Sequence, residues 1–207
     1  MERREASSCK RAYELGERLN QMNQTKALVL AAARRQLETG GVREFSMGSL
    51  AKASGVTRQT IHNLFGTRTG VLEALFDQIA LAGGMEQMRD AMTASSPEAM
   101  LVGFIQVFSA FWAKDRMLLR RIHGIAAIDP EFGKAVHARN QRRQMAAARV
   151  MDRLDGRARG EERQARVACL VALSSFEFFD ALAESSGSTE SAEELLPWLI
   201  RKALLAG

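Results

Sequence analysis

Apolar residues along this chain return every three or four positions from about residue 25 onward, and no segment alternates apolar and polar positions between turn signals. That pattern predicts helices throughout. The first runs from Thr25 to Thr39, with Val29, Ala32, Ala33 and Leu37 as its inner stripe and Gly40-Gly41 as its end. Ser46 N-caps a second helix, because its hydroxyl takes one of the orphan N–H groups there. Leu50, Ala51 and Ser54 give that helix a small inner face. Gly55 stops it, Val56 fills the turn, and Thr57 caps a short third helix from Arg58 to Phe65. Thr67 caps a fourth, which carries Val71, Leu72, Leu75, Phe76 and Ile79 and bends or ends at Gly83-Gly84.

Beyond residue 85 the helical pattern continues. Pro97 suits the first turn of a helix that bears Phe104, Phe108, Phe111 and Trp112 as one wide apolar stripe. Lys114 to Ala127 follows with Met117, Leu118, Ile122 and Ile125, and Asp129-Pro130 opens a long helix to about Leu154. Asp155 to Gly160 reads as a polar loop. One helix is then expected from about Glu161 to Glu184, apolar on all sides for two turns, and a last one from about Ala192 to Leu205 that Pro197 starts or kinks. Few helices are left to cover this pair. A second copy of the same pair is the economical cover, a two-fold four-helix interface. Its expected contacts are Val167, Leu170, Val171, Ser174, Phe178, Trp198 and Leu199.

The third helix has two unlike faces. At about 100° per residue, with Arg58 as zero, His62 falls near 40°, Gln59 near 100° and Asn63 near 140°, while Ile61, Leu64 and Phe65 occupy about 240° to 340°. A hydrophobic wedge therefore backs a row of Arg, Gln, His and Asn, the types that read base edges. Helix, glycine turn and polar-faced second helix make a helix-turn-helix. A merely solvated face would carry Glu and Lys, whereas no acid occurs from Lys52 through Leu72. Arg58, Gln59, His62 and Asn63 are the expected base contacts, and Ser46, Thr57, Thr60 and Arg68 the expected phosphate contacts.

Composition and charge agree. The chain has 207 residues, three prolines, one tyrosine and a net charge of +5, which fits an all-α protein able to meet an anionic partner. Residues 25–80 hold seven basic against four acidic side chains, the largest excess for their length. Residues 1–24 are polar and of mixed charge, and read as a flexible extension. Their Lys10, Arg11 and Arg18 lie either in solvent or along a phosphate backbone, and Met22 is an alternative start. Cys169 reads as a small core residue. No apolar signal segment follows the MERREASSCK opening, and the longest charge-free run, Ala99 to Ala113, is too short to span a bilayer. The expectation is a soluble cytoplasmic protein with no membrane partner.

Residues 25–80 resemble the DNA-binding domain of the TetR/AcrR family of transcriptional regulators. The resemblance rests on Gly41, Ser46, Leu50-Ala51, Gly55-Val56-Thr57, Phe65 and Thr67-Arg68-Thr69, with matching helix lengths between them. Three positions depart from it. His62 stands where the family usually has Tyr, Leu64 where it has His or Tyr, and Gln36 where it has an apolar residue, which predicts looser packing of the first helix. The resemblance implies a ligand-responsive homodimer, usually a repressor, on a palindromic double-stranded DNA operator. It also implies a helical ligand-binding and dimerisation domain over 81–207, with an unknown small-molecule effector. Phe104, Phe108, Met117, Met145, Phe176 and Phe179 are the expected cavity residues, although such a stripe serves equally as core.

Enzyme signatures are absent: no nucleophile elbow, phosphate loop, zinc-protease helix or dinucleotide glycine fingerprint occurs. His62, His123 and His137 fall on three separate predicted helices, so neither catalysis, a metal nor a cofactor is expected. The nine arginines between Arg139 and Arg166 suit an anion-binding surface or a solvated face with stems laid over apolar surface. The rival function is a helical small-molecule-binding protein that keeps the fold without operator binding.

Overall fold

The computed structural model describes residues 2–39, 45–156 and 159–205, with side chains from residue 16 onward. The regular elements are helices: α1 (Glu2–Thr39), α2 (Met47–Ser54), α3 (Arg58–Phe65) and α4 (Arg68–Ala82), then a 3-10 turn (Met85–Gln87) leading into α5 (Met88–Met92). They continue as α6 (Pro97–Lys114), α7 (Arg116–Ile128), α8 (Pro130–Leu154), α9 (Gly160–Leu173), α10 (Phe176–Ser186) and α11 (Thr189–Leu205). The fold is all-α. None of the described helices is long and apolar enough to cross a membrane. Two compact units divide at Leu75/Phe76, within α4.

In the first unit Val29, Ala32, Ala33 and Leu37 of α1 are fully buried, as their spacing predicts, with Leu50 of α2, Ile61 of α3 and Val71, Leu72 and Leu75 of α4. Helix α1 reaches back to Glu2, well before the expected start at Thr25. Residues 16–24 are exposed, so no buried stripe marks that part as helix in the sequence. The expected stop at Gly40-Gly41 lies outside the described residues. Gln36 does not loosen the packing. Its Oε1 accepts a hydrogen bond from Ser49 Oγ at 3.1 Å, tying α1 to α2.

In the second unit the aromatic stripe of α6 is core: Phe104, Phe108, Phe111 and Trp112 are all buried, beside Ile122 of α7, Phe132 of α8 and Phe179 of α10. Met117 is 55% exposed, because Leu118, Ile122 and Ile125 set the inward side of α7. On α10, Asp180 holds both Arg116 and Arg120 of α7, at 2.7 and 2.8 Å. The glycine pair 83–84 ends α4 as expected, with Gly84 at φ 79°.

One predicted element is corrected. The single helix expected over 161–184 is two, because the chain breaks at Ser174-Ser175. Ser175 N-caps α10 by accepting from Phe178 N at 3.1 Å. The carbonyl of Ser174, left without a helical partner, accepts from Trp112 Nε1 at 3.0 Å. Arg143 of α8 donates to Val171 O and, at 3.0 Å, to Ser174 Oγ. Three side chains thus do locally what another helical turn would have done.

Pro197 lies inside α11 and begins nothing. A proline there cannot donate to the carbonyl four residues back, and the orphan, Glu193 O, accepts instead from buried Ser109 Oγ at 3.2 Å. Ser109→Ala is therefore expected to cost about 1–2 kcal/mol in urea unfolding, the penalty of an unsatisfied carbonyl. In a Pro197→Ala background, where the restored backbone N–H can serve Glu193 O, the same change should cost markedly less.

Candidate functional site

The helix-turn-helix is set by its caps. Ser46 Oγ accepts from Ser49 N at 3.1 Å while Ser46 N donates to Ser49 Oγ at 3.0 Å, a capping box closed by serine in place of Glu or Gln. Gly55 takes φ 73°, the left-handed region that glycine enters without a Cβ penalty, and its N–H meets Ala51 O at 3.1 Å. Thr57 Oγ1 then accepts from Thr60 N at 3.1 Å and starts α3.

Ile61 is buried and Leu64 and Phe65 half-buried, while Arg58, Gln59, His62 and Asn63 are all exposed on the opposite side. Gln59 Nε2 donates to Asn63 Oδ1 at 2.9 Å, and His62 Nδ1 donates to Gly66 O at 3.0 Å. Three of the four side chains in the row thus have hydrogen-bond partners within α3 or at its end. Arg58 lies against α2, where an added Cβ at Gly48 would stand 2.5 Å from its terminal nitrogen. Sequence reading had no signal for that contact. Ser46 and Thr57 are exposed, and Thr60 is half-buried with its hydroxyl 2.9 Å from that of Thr57. Arg68 departs from expectation: it is half-buried, its Nε donates to Phe45 O at 3.0 Å, and its guanidinium sits 5.5 Å from the Phe45 ring. Its first task is to hold the segment entering α2.

A second candidate site lies within the second unit, a cavity of about 280 Å³. Phe108, Phe111 and Trp112 of α6 form its apolar floor, and Met85 and Met88 close one side. Phe76 and Asp77 of α4, Arg139 and Arg143 of α8 and His123 of α7 also line it. Arg139 donates to Asp77 at 2.6 Å and stacks over the Phe76 ring at 4.9 Å. His123 Nδ1 donates to Glu177 at 3.0 Å, and that bond holds the Glu177 carboxyl down to about 2. Burial lowers the pKa of the Arg143 guanidinium, since no carboxylate among the described residues pairs with it directly.

Of the six residues expected to line a cavity, Phe108 alone does. Phe104, Phe176 and Phe179 are buried in the core, and Met117 and Met145 are exposed, Met145 at 61%. Met145 lies about 200° around α8 from Arg143, on the far side from the buried face. The expected dimer contacts also divide. Leu170 and Ser174 are fully buried within the chain and offer nothing to a partner, whereas Val167, Val171, Phe178 and Leu199 are half-buried and Trp198 is 56% exposed. Cys169 is half-buried, not core. Most of the Arg-rich stretch serves as internal ties: Arg153 to Ala94 O at 3.0 Å, Arg163 to Asp152 at 2.6 Å, and Arg166 to Asp155 at 3.1 Å. Met85 and Met88 were missed because their helical pieces are too short to show a period.

Two glycines near α3 give opposite expectations. A Cβ at Gly70 would lie 1.9 Å from the Phe65 carbonyl oxygen, a backbone atom fixed at the end of α3. Gly70→Ala should cost about 3 kcal/mol in thermal or urea unfolding. Gly48→Ala meets only the movable tip of Arg58 and should stay within about 0.5 kcal/mol.

Residues 29–75 match the model of the tetR family of bacterial regulatory proteins. The HTH-type transcriptional regulator AlkX of Mycobacterium tuberculosis is 33% identical over 103 residues, 49% of this chain and 48% of that protein. The HTH-type transcriptional regulator EthR of Mycolicibacterium smegmatis is 32% identical over 88 residues, 42% of this chain and 41% of that one. The chain thus spans about half the length of the curated relatives it matches, or less. Among solved structures, a TetR transcription regulator from Haloarcula marismortui superposes with a TM-score of 0.67 at 15% identity, over 89% of this chain and 98% of that one. NalD, the secondary repressor of the MexAB-OprM multidrug efflux pump in Pseudomonas aeruginosa, gives 0.64 at 18% identity, over 89% and 97%. At such identities the two structures share the fold. The helix-turn-helix segment, residues 29–75, is thus similar in sequence to the tetR family of bacterial regulatory proteins, and the chain shares the fold of the solved regulators.

Proposed function

We propose that the protein is a sequence-specific DNA-binding transcriptional regulator that grips a palindromic operator as a homodimer and releases it when a small molecule binds. The observation that carries this reading is the exposed row Arg58, Gln59, His62 and Asn63 on a capped, acid-free α3. Arg reads guanine and Gln or Asn reads adenine in the major groove. The hydroxyls of Ser46, Thr57 and Thr60 and the first N–H groups of α2 and α3 suit flanking phosphates.

Dimer formation through α9 and α11 is supported by the exposed Trp198, Leu195 and Leu205, with Val167 and Val171 half-buried on α9. Exposed apolar groups gathered on two helices mark an interaction face. Effector release acts through α4. Its first residues, Arg68 to Leu75, belong to the helix-turn-helix unit, and its last ones include Phe76 and Asp77 of the cavity. A ligand can shift operator affinity only by its differential affinity for two shapes of the protein, typically about 1–3 kcal/mol.

Selection of bound sites from a random duplex pool with purified protein is the direct test, and an imperfect palindrome is the expected yield. On the selected site, Arg58→Ala and Gln59→Ala should each cost about 1–3 kcal/mol and relax one base position. Parent-like binding by both variants would refute the assignment. Trp198→Glu should give monomers in sedimentation and lose operator binding while the helical circular dichroism persists. A parent that sediments as a monomer at micromolar concentration would overturn the dimer.

A further inference from the structure

The cavity of the second unit carries more chemistry than an apolar pocket needs. Among the described residues, three buried side-chain nitrogens have no hydrogen-bond partner: His123 Nε2, Arg143 Nε and Arg166 Nε. Two of the three, His123 and Arg143, line this one cavity. Arg143 is 7% exposed and the His123 side chain 14%. A buried polar atom left without a partner is costly, and a buried cation without a counter-ion more so. Neither group is there by default. Arg143 is anchored by Val171 O and Ser174 Oγ, and His123 by Glu177 and by its ring against Phe176 at 4.5 Å. The anchoring leaves Nε of one and Nε2 of the other without a hydrogen-bond partner, and leaves the Arg143 charge without a direct counter-ion at the cavity wall.

The charged side chains lining the cavity are net positive. Its lining holds Arg139, Arg142 and Arg143 against a single acid, Asp77, which Arg139 already takes at 2.6 Å. The further carboxylate that acts on Arg143, Glu177, is bound to His123. A cationic ligand would meet net repulsion, and a purely apolar one would leave both nitrogens unsatisfied. The rest of the wall is aromatic and thioether surface: Phe76, Phe108, Phe111, Met85 and Met88. The volume, about 280 Å³, admits roughly ten non-hydrogen atoms at about 30 Å³ each.

We propose that this cavity binds a small amphiphilic monocarboxylate, its apolar body between the α6 aromatics and Met85 and Met88, and its carboxylate on the Arg143 guanidinium. The inference deepens the regulator reading, since it names the chemical class of the effector. An apolar effector without a charged end, the simpler expectation from the aromatic stripe, does not suit these walls. A charge-assisted bond is short and strong, so the carboxylate acts as the selective element and the hydrocarbon as the general one.

The test is calorimetry on the full-length protein without DNA, using octanoate, octanol and octylamine, which share one chain length and differ in the head group. Octanoate should bind, octanol about tenfold more weakly or worse, and octylamine not measurably. Arg143→Gln should reduce octanoate affinity by about tenfold or more and leave octanol nearly unchanged. Equal affinity for octanoate and octanol, or preference for the amine, overturns the proposal, as does an Arg143→Gln variant that binds octanoate like the parent. Since Arg143 also supports the α9 end, its variant is checked by circular dichroism. Should it unfold, the head-group series on the parent decides alone. Ala146→Phe, which adds bulk to the cavity wall, should abolish octanoate binding, and retained binding would place the ligand elsewhere. A protein that takes octanoate yet selects no duplex sequence would sink the regulator reading and leave the ligand assignment standing. Operator binding with no head-group preference would do the reverse.

Discussion

The C-terminal end of α9 is the point on which the second unit turns. A helix that stops leaves carbonyls with no partner, and here the stop falls at buried Ser174, whose carbonyl needs a partner from the protein itself. Trp112 reaches Ser174 O from α6, and Arg143 reaches Val171 O and Ser174 Oγ from α8. Those bonds fix where α6, α8 and α9 stand relative to one another. They also explain how a cation comes to be buried beside an apolar cavity. Arg143 is held by the Val171 carbonyl and the Ser174 hydroxyl, and it lines the cavity together with the α6 aromatics and Met85 and Met88. Structure and candidate chemistry meet in one side chain.

In the first unit the decisive constraint is geometric. Two short helices must be held at a fixed angle so that α3 presents one face outward. Caps do most of this: the Ser46–Ser49 box, Gly55 in the turn, and Thr57 on Thr60 N. Close approaches do the rest, with no room for a Cβ between Gly70 and the Phe65 carbonyl. Because rigidity comes from backbone bonds, the exposed side chains of α3 carry little structural duty and remain available for recognition. Arg68, at the start of α4, differs from them in being engaged with Phe45.

What the sequence determined by itself was whatever depends on local chemistry. Buried stripes at helical spacing, such as Val29, Ala32, Ala33 and Leu37, and capping residues such as Ser46, Thr57 and Asp129 act within a few positions of themselves, so they could be read directly. The polar face of α3 was legible for the same reason, since a helix fixes the relative directions of its own side chains. Tertiary structure alone decided the rest. Whether Met117 and Met145 face a cavity or solvent depends on which side of α7 and α8 their neighbours cover. The break at Ser174 needed Trp112 and Arg143, 62 and 31 residues away, to satisfy what the helix gave up. The cavity is lined by residues from α4 through α8, and its two unpartnered nitrogens exist only because other atoms of the same side chains are anchored across the fold. No spacing in the chain encodes a relation of that kind, because it belongs to the packing of elements and not to any one of them.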